Sequence, residues 1–454
     1  MESTNPATGD VVGSYEQDSD EDVAAALDVA EEAFEDWKRT SLREREELIE
    51  NVADVLRENK RRYAELMTQE MGKPISQALG EVEKCAWGCE HYAEYAHAYL
   101  SEDVYPSEPG TRVKTQYDPL GTILAVMPWN FPFWQVIRFA APYLTAGNVG
   151  VLKHAPEVPG CARALEDLFL DAGYPEGVFQ SLLVDPDAVH DKILPDDRVR
   201  GTTLTGSSRA GSAVAASAGE HLDKTVLELG GSDPFVVLDD ADVEAAAETG
   251  AWARMQNGGQ SCIAAKRILV HDAVYEEFEE QFLAAVDDLT VGDPMDEDTD
   301  VGALVSEEHL ETVARQVTET VDAGATLLRG SERLDREGAF YEPTVLSDVP
   351  AGCPATQEEV FGPAAALVRV SDVDDAIRTA NDTDYGLGAS VWTADRNRGE
   401  RIADRIDAGC VYVNQMTKSD PRIPFGGVKD SGYGRELSEV GMKEFVNEKT
   451  VWVE

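Results

Sequence analysis

An α/β protein with parallel sheets is what this sequence predicts, on two observations. Short apolar runs alternate with amphipathic helical stretches over most of the chain, and several of those runs are continuously apolar, as strands buried on both faces are. At 454 residues the chain is long enough for two or three domains. Its 43% hydrophobic and 28% charged content is globular.

The elements follow in order. Asp20-Glu21-Asp22 opens an Ala-rich helix to Trp37, and Ser41 to Met71 reads as one further helix stopped by Gly72-Lys73-Pro74. Another helix runs from about Ile75 to Leu100. Thr111–Gln116 alternates like a solvent-facing strand, and Gly121–Met127 reads as a buried one ending at Pro128. A helix near Trp134–Leu144, a strand at Val149–Lys153, a helix at Gly160–Ala172 and a strand near Phe179–Val184 come next. A polar helix and the strand Val199–Thr205 complete this alternation, and a second alternating block runs from Pro234 to Val413. Glu448–Glu454 reads as a terminal strand.

Charge and cysteines exclude several classes. Lys and Arg total 39 against 87 Asp and Glu, a formal charge of −48. Phosphate must be neutralised by cations, so nucleic-acid binding is not expected. The acid is spread along the chain, as in Glu16–Asp22, Glu276–Glu280 and Asp293–Asp300, and lysine is absent between Arg267 and Thr417. A diffuse carboxylate surface suits work at high salt, where self-repulsion is screened, so a halophilic setting is expected. No apolar run spans a bilayer and the N-terminus lacks a secretory pattern, so a cytoplasmic protein without membrane contact is expected. The six cysteines form no regular framework. Cys85 and Cys89 share a helix face with His91 nearby, but no matching pair follows at zinc spacing, so no metal is expected.

Four short segments carry possible chemistry. Gly259-Gln260-Ser261-Cys262 presents a thiol in a small-residue turn, although a lone cysteine is more often a buried hydrophobe. Glu228-Leu229-Gly230-Gly231 ends a strand with a carboxylate that suits a general base, or equally a cap or ion pair. Pro128-Trp129-Asn130-Phe131-Pro132 is a rigid turn whose Asn130 amide suits an oxyanion, or a plain loop. Thr205-Gly206-Ser207-Ser208-Arg209-Ala210-Gly211 places glycine at a helix N-terminus, where backbone N–H groups meet phosphates. It is not the G-x-G-x-x-G pattern.

Together with Glu358-Glu359-Val360-Phe361-Gly362-Pro363 and Pro424-Phe425-Gly426-Gly427-Val428-Lys429, these segments stand in an order that resembles the aldehyde dehydrogenase superfamily. The resemblance runs from Asn5-Pro6-Ala7-Thr8-Gly9 to the C-terminal strand. It implies a Rossmann-like cofactor domain at residues 1–100 and 120–229, an α/β catalytic domain at 230–430, and a small β oligomerisation flap from 101–119 and 446–454. It also implies a homodimer or homotetramer acting on a small aldehyde.

The resemblance assigns roles as well. Cys262 matches the nucleophile, Asn130 with the Cys262 N–H the oxyanion hole, Glu228 the base, and Glu436 a proton relay. For the cofactor, Trp129, Gly206 and Ser207 match the pyrophosphate site, Lys153 the adenosine ribose contact, and Glu359 and Phe361 the nicotinamide end. Members specific for NAD carry Glu three residues after this lysine. Pro156 stands there, so use of both NAD and NADP is expected.

The chain looks most like the succinate-semialdehyde dehydrogenase branch. Arg138 and Ser419 match that branch's contacts to the distal carboxylate, whereas Gln256 replaces a second arginine and Ala264 a redox cysteine. The alternatives are another or broad aldehyde specificity, a CoA-acylating enzyme, which would dispense with Glu228, and a non-catalytic protein on the same fold.

Overall fold

The first hundred residues become helices whose ends follow local chemistry. In the computed structural model, which describes residues 1–454, Ser19 caps helix Asp20–Trp37 through a reciprocal pair with Asp22. The stretch expected as one helix from Ser41 to Met71 is two, Leu42–Glu58 and Lys60–Met71. Asn59 makes the break: its amide donates to the Val55 carbonyl at 3.0 Å while its ψ of 14° leaves the helical range. Helix Ile75–Tyr99 follows after Pro74. The polar helix expected after Val184 shrinks to the turn Pro186–Ala188 and a π-helical turn, Val189–Ile193.

Two mostly parallel sheets organise the rest. The first has the order Gly432–Tyr433, Lys224–Glu228, Val199–Thr205, Thr122–Met127, Val149–His154, Phe179–Leu182. All neighbours are parallel except the short first strand. The chain builds outward from Thr122–Met127 and then crosses back to Val199–Thr205 on its other side. Between those two strands the winding direction reverses, and a crevice opens at their carboxyl ends. The longest apolar core of the protein packs this sheet against the N-terminal helices.

The second sheet has seven strands, ordered Thr326–Arg329, Thr344–Ser347, Ala364–Val370, Ala265–His271, Asp233–Val237, Gly388–Trp392, Cys410–Val413. Only the first pair is antiparallel. A third, antiparallel sheet joins Val446–Val453 to Arg112–Pro119 and Asp103–Tyr105. It exposes Val104, Tyr105, Trp452 and Val453. No helix is long and apolar enough to cross a membrane.

Candidate active site

The crevice at the strand reversal is where the sequence motifs meet. Strand Thr122–Met127 runs into Pro128-Trp129-Asn130, and strand Val199–Thr205 runs into Gly206-Ser207. One cavity of about 230 Å³ is lined by Trp129, Asn130, Gln135, Gly206, Ser207, Cys262, His309, Glu359 and Phe361, among others. Residues up to 230 positions apart thus share one space. The Pro128–Pro132 loop is braced from below by His154. Its Nδ1 accepts the Ala155 N–H at 2.9 Å, so its Nε2–H donates to the Pro132 carbonyl at 2.9 Å. Burial pulls this imidazole down to about 4, and it stays neutral.

The thiol sits on a loop that only glycine-rich sequence can form. Asn257, Gly258 and Gly259 have φ of 55°, 62° and 71° in succession. A Cβ at Gly259 would meet the Gly362 carbonyl oxygen at 2.2 Å. Two buried cations pin the loop. Arg254 donates to the carbonyls of Gly259, Val360 and Ala364, and Lys266 to those of Ser261 and Cys262 at 2.8 and 2.7 Å. Asn130 reaches across from the other sheet, its Nδ2 donating to the Gln260 carbonyl at 3.1 Å. The second amide hydrogen remains free for an oxyanion. Burial pushes the Cys262 thiol up to about 12, with the charges of Lys266 and Arg138 opposing it. A neutral thiol is the resting form, so the thiol must lose its proton to attack.

Glu228 is buried at the end of strand Lys224–Glu228, with neither carboxylate oxygen hydrogen-bonded. Its Oε1 packs against Gly426, on the side away from the cavity lining. Burial and the neighbouring carboxylate of Glu436 raise it well above the usual range. Burial also raises Glu436, but Arg138 pulls that group back through a direct ion pair. Arg138 pairs directly with Glu436, so of the two carboxyls Glu228 is raised the further.

Arg138, expected from the sequence to grip a substrate carboxylate, lies beside an acid of its own chain. Its side chain is 3% exposed, pairs with Glu436 and donates to Thr205 Oγ1 at 3.3 Å. Arg138→Met should therefore lower stability by about 3–5 kcal/mol, by leaving Glu436 unpaired. Urea unfolding measures this. A loss of activity confined to aldehydes with a distal carboxylate would show that Arg138 also grips the substrate.

Residues in and beside the cavity have the chemistry that a dinucleotide's phosphates and rings require. Ser207 caps helix Ser208–His221, whose first turn contains no acid, so unshielded N–H groups face the space beside Gly206. Lys153 is buried without an acid within ion-pair distance, and burial lowers it. Glu359 accepts the Gly231 N–H at 3.0 Å and lies 3.5 Å from Lys266, while Phe361 stands edge-on to Trp129 with ring centres 5.7 Å apart. An acid missing at position 156 stands one residue on: Glu157, raised by burial, has a buried oxygen without a partner and feels the Lys153 charge.

A model of the aldehyde dehydrogenase family matches residues 1–451. The chain belongs to the aldehyde dehydrogenase family.

This aldehyde dehydrogenase is 49% identical over 449 residues to a probable succinate-semialdehyde dehydrogenase (NADP+) of Synechocystis, covering 99% of this chain and 98% of that one. It is also 49% identical over 456 residues to succinate-semialdehyde dehydrogenase (NADP+) 1 of Mycobacterium tuberculosis, with the same coverage. The crystal structure of succinic semialdehyde dehydrogenase from Streptococcus pyogenes with NADP+ superposes with a TM-score of 0.97 at 37% identity, over 100% of this chain and 99% of that one. The α/β fold and the NAD(P)-dependent oxidation of aldehydes follow from this membership.

Sequence reasoning missed the braces of the aldehyde dehydrogenase site: His154, Arg254, Gln260, Lys266 and His309. Lys266 left one signal, as a lysine in an apolar strand and the last before a long lysine-free stretch. Ser419 is buried, and its Oγ accepts from Trp134 Nε1 and Lys84 Nζ. Cys85 and Cys89 are buried among helices, and His91 meets the Tyr99 hydroxyl.

Proposed function

We propose that this aldehyde dehydrogenase oxidises succinate semialdehyde to succinate through a thioester on Cys262. The observation that carries the chemistry is the meeting of the Asn130 amide, the Cys262 thiol and the Gly206–Ser207 turn in one cavity. The substrate rests on the names of relatives that match over nearly the full chain. The Cys262 thiol gives its proton to solvent as Sγ bonds to the aldehyde carbon, the carbonyl π pair moves onto the oxygen, and that oxygen accepts from Asn130 Nδ2 and the Cys262 N–H. A bound nicotinamide supplies the hydride acceptor that takes this adduct to the thioester. Once ionised, Glu228 swings toward the thioester and removes a proton from the attacking water, whose oxygen bonds to the acyl carbon as the C–S bond breaks and frees the carboxylic acid and the Cys262 thiolate. Trp129, Gly206, Ser207 and Lys153 would hold the phosphate and ribose end, Glu359 and Phe361 the nicotinamide end.

NADP+ and NAD+ are both used on this reading, with Glu157 limiting the phosphorylated form by repulsion. Glu157→Gln should raise kcat/KM for NADP+ by about tenfold relative to NAD+, since a single unfavourable charge contact is worth ~1–2 kcal/mol. An unchanged ratio would remove Glu157 from cofactor selection. The exposed third sheet supports a homodimer or homotetramer, checked by light scattering. The free cysteines support a cytoplasmic site, and the charge of −48 supports work at high salt. A panel of aldehydes with and without a distal carboxylate, run with both cofactors at low and high salt, tests the whole reading. Equal kcat/KM for succinate semialdehyde and butanal would overturn the substrate, and full activity and stability without salt the halophilic setting.

A further inference from the structure

Lysine is out of place in a strand as buried as Ala265–His271. We infer that Lys266 is a positioning residue for the oxidation: its ammonium grips the two carbonyls that flank the nucleophile and polarises the peptide unit whose N–H receives the oxyanion. This rests on the reading of Cys262 and its N–H given above.

The strand is irregular where the lysine stands. It pairs in parallel with Asp233–Val237, but Asp233 lies opposite Ala265 and Pro234 opposite Arg267, so Lys266 is the extra residue of a bulge. A bulge takes one residue out of the ladder and re-aims its side chain. The Lys266 side chain reaches back to the turn that precedes its own strand. Its Nζ donates to the Ser261 carbonyl at 2.8 Å and to the Cys262 carbonyl at 2.7 Å, and lies 3.5 Å from the Glu359 carboxylate. Three acceptors occupy its three N–H groups. Lys266 is not part of the cavity lining, so it acts through Cys262 rather than on a substrate.

The Ser261 carbonyl and the Cys262 N–H belong to one conjugated peptide unit. A cation held on the oxygen draws electron density toward it and leaves the N–H a stronger donor, since linked hydrogen bonds polarise one another in a low-dielectric interior. The Cys262 N–H has no acceptor within the protein, so the gain falls to an oxyanion formed on the bound aldehyde. The second bond places positive charge on the nucleophilic residue itself, within about 8 Å of Sγ by covalent lengths alone. Arg254, the other cation of this loop, donates to Gly259, Val360 and Ala364 and touches neither peptide unit.

Charges face the thiol from four elements. Burial raises it, Lys266 and then Arg138 on helix Trp134–Ala146 act against that, and Glu359 and Asp233 act with it. The Cys410 thiol, on strand Cys410–Val413, borders the same group. Burial lowers Lys266 itself, and Glu359 and Asp233 oppose that.

The test is the rate at which iodoacetamide alkylates Cys262 in the intact enzyme without substrate, read on the Cys262 peptide by mass spectrometry between about pH 7 and 9. Lys266→Met and Lys266→Gln should each slow it by about tenfold or more, a pH profile displaced upward by about one pH unit, and Lys266→Arg should restore most of the rate. The kcat for aldehyde oxidation should follow the same order. Glutamine separates charge from bonding, because its amide donates to a carbonyl but carries no charge. If Lys266→Gln recovers what Lys266→Met loses, Lys266 only props the loop and the inference falls. Wild-type alkylation in both neutral variants overturns it as well. If Lys266→Met does not fold, the comparison of Lys266→Gln with Lys266→Arg decides. Alkylation reads the thiol without an aldehyde, so failure here leaves the thioester reading standing; that reading falls instead if Cys262→Ser stays active.

Discussion

Cys262→Ser is expected to lower aldehyde oxidation by at least about 10³-fold while NADPH binding, followed by fluorescence, is retained. The reason lies in the loop rather than in the residue alone. Arg254 and Lys266 hold the carbonyls of Gly259, Ser261 and Cys262, and Asn130 reaches Gln260 from the opposite sheet. That frame sets the sulfur beside the oxyanion donors and survives a one-atom change. Burial already pushes the thiol up to about 12, so attack is demanding even for sulfur. A serine hydroxyl is far less acidic and gives no stable thioester. Activity above about a tenth of wild type would show that Cys262 is not the nucleophile. Loss of cofactor binding as well would instead indicate a collapsed cavity.

Glu228→Gln should separate the two half-reactions. The first needs Cys262 and Asn130; the second needs a base for water. The variant should give a burst approaching one NADPH per Cys262 and then turn over about 10²–10⁴-fold more slowly than wild type. Stopped-flow absorbance at 340 nm reads both phases, and an equal loss in burst and steady state would refute the assignment. The pH profile supplies a second check. Burial and Glu436 raise the Glu228 carboxyl well above the usual carboxylate range. Wild-type turnover should therefore rise with pH along a limb lying above the usual carboxylate range, and Glu228→Gln should lose that limb. The same shift has a stability consequence. A group whose folded pKa is raised favours folding at low pH, and this contribution is lost as pH rises through the folded value.

Arg138 marks the boundary between what local pattern and three-dimensional arrangement each decide. Its sequence position, eight residues after Asn130, is compatible with a substrate contact. The partner that claims it, Glu436, is nearly three hundred residues away and reaches it only because strand Gly432–Tyr433 joins the edge of the first sheet. Asn59 shows the limit at the level of one helix: periodicity runs through it, while its side chain takes the Val55 carbonyl and ends the turn.

The sequence by itself determined the α/β class, most element positions and the family. Strand burial and helix amphipathicity are written in residue order, and the motifs around Asn130, Gly206, Glu228 and Cys262 are contiguous. Tertiary structure alone decided which charges are free. Ion pairing depends on distance and burial, and these bring together residues from separate strands and helices. That is why Cys262 could be found from its neighbours in the chain, whereas the pairing of Arg138 with Glu436 could not.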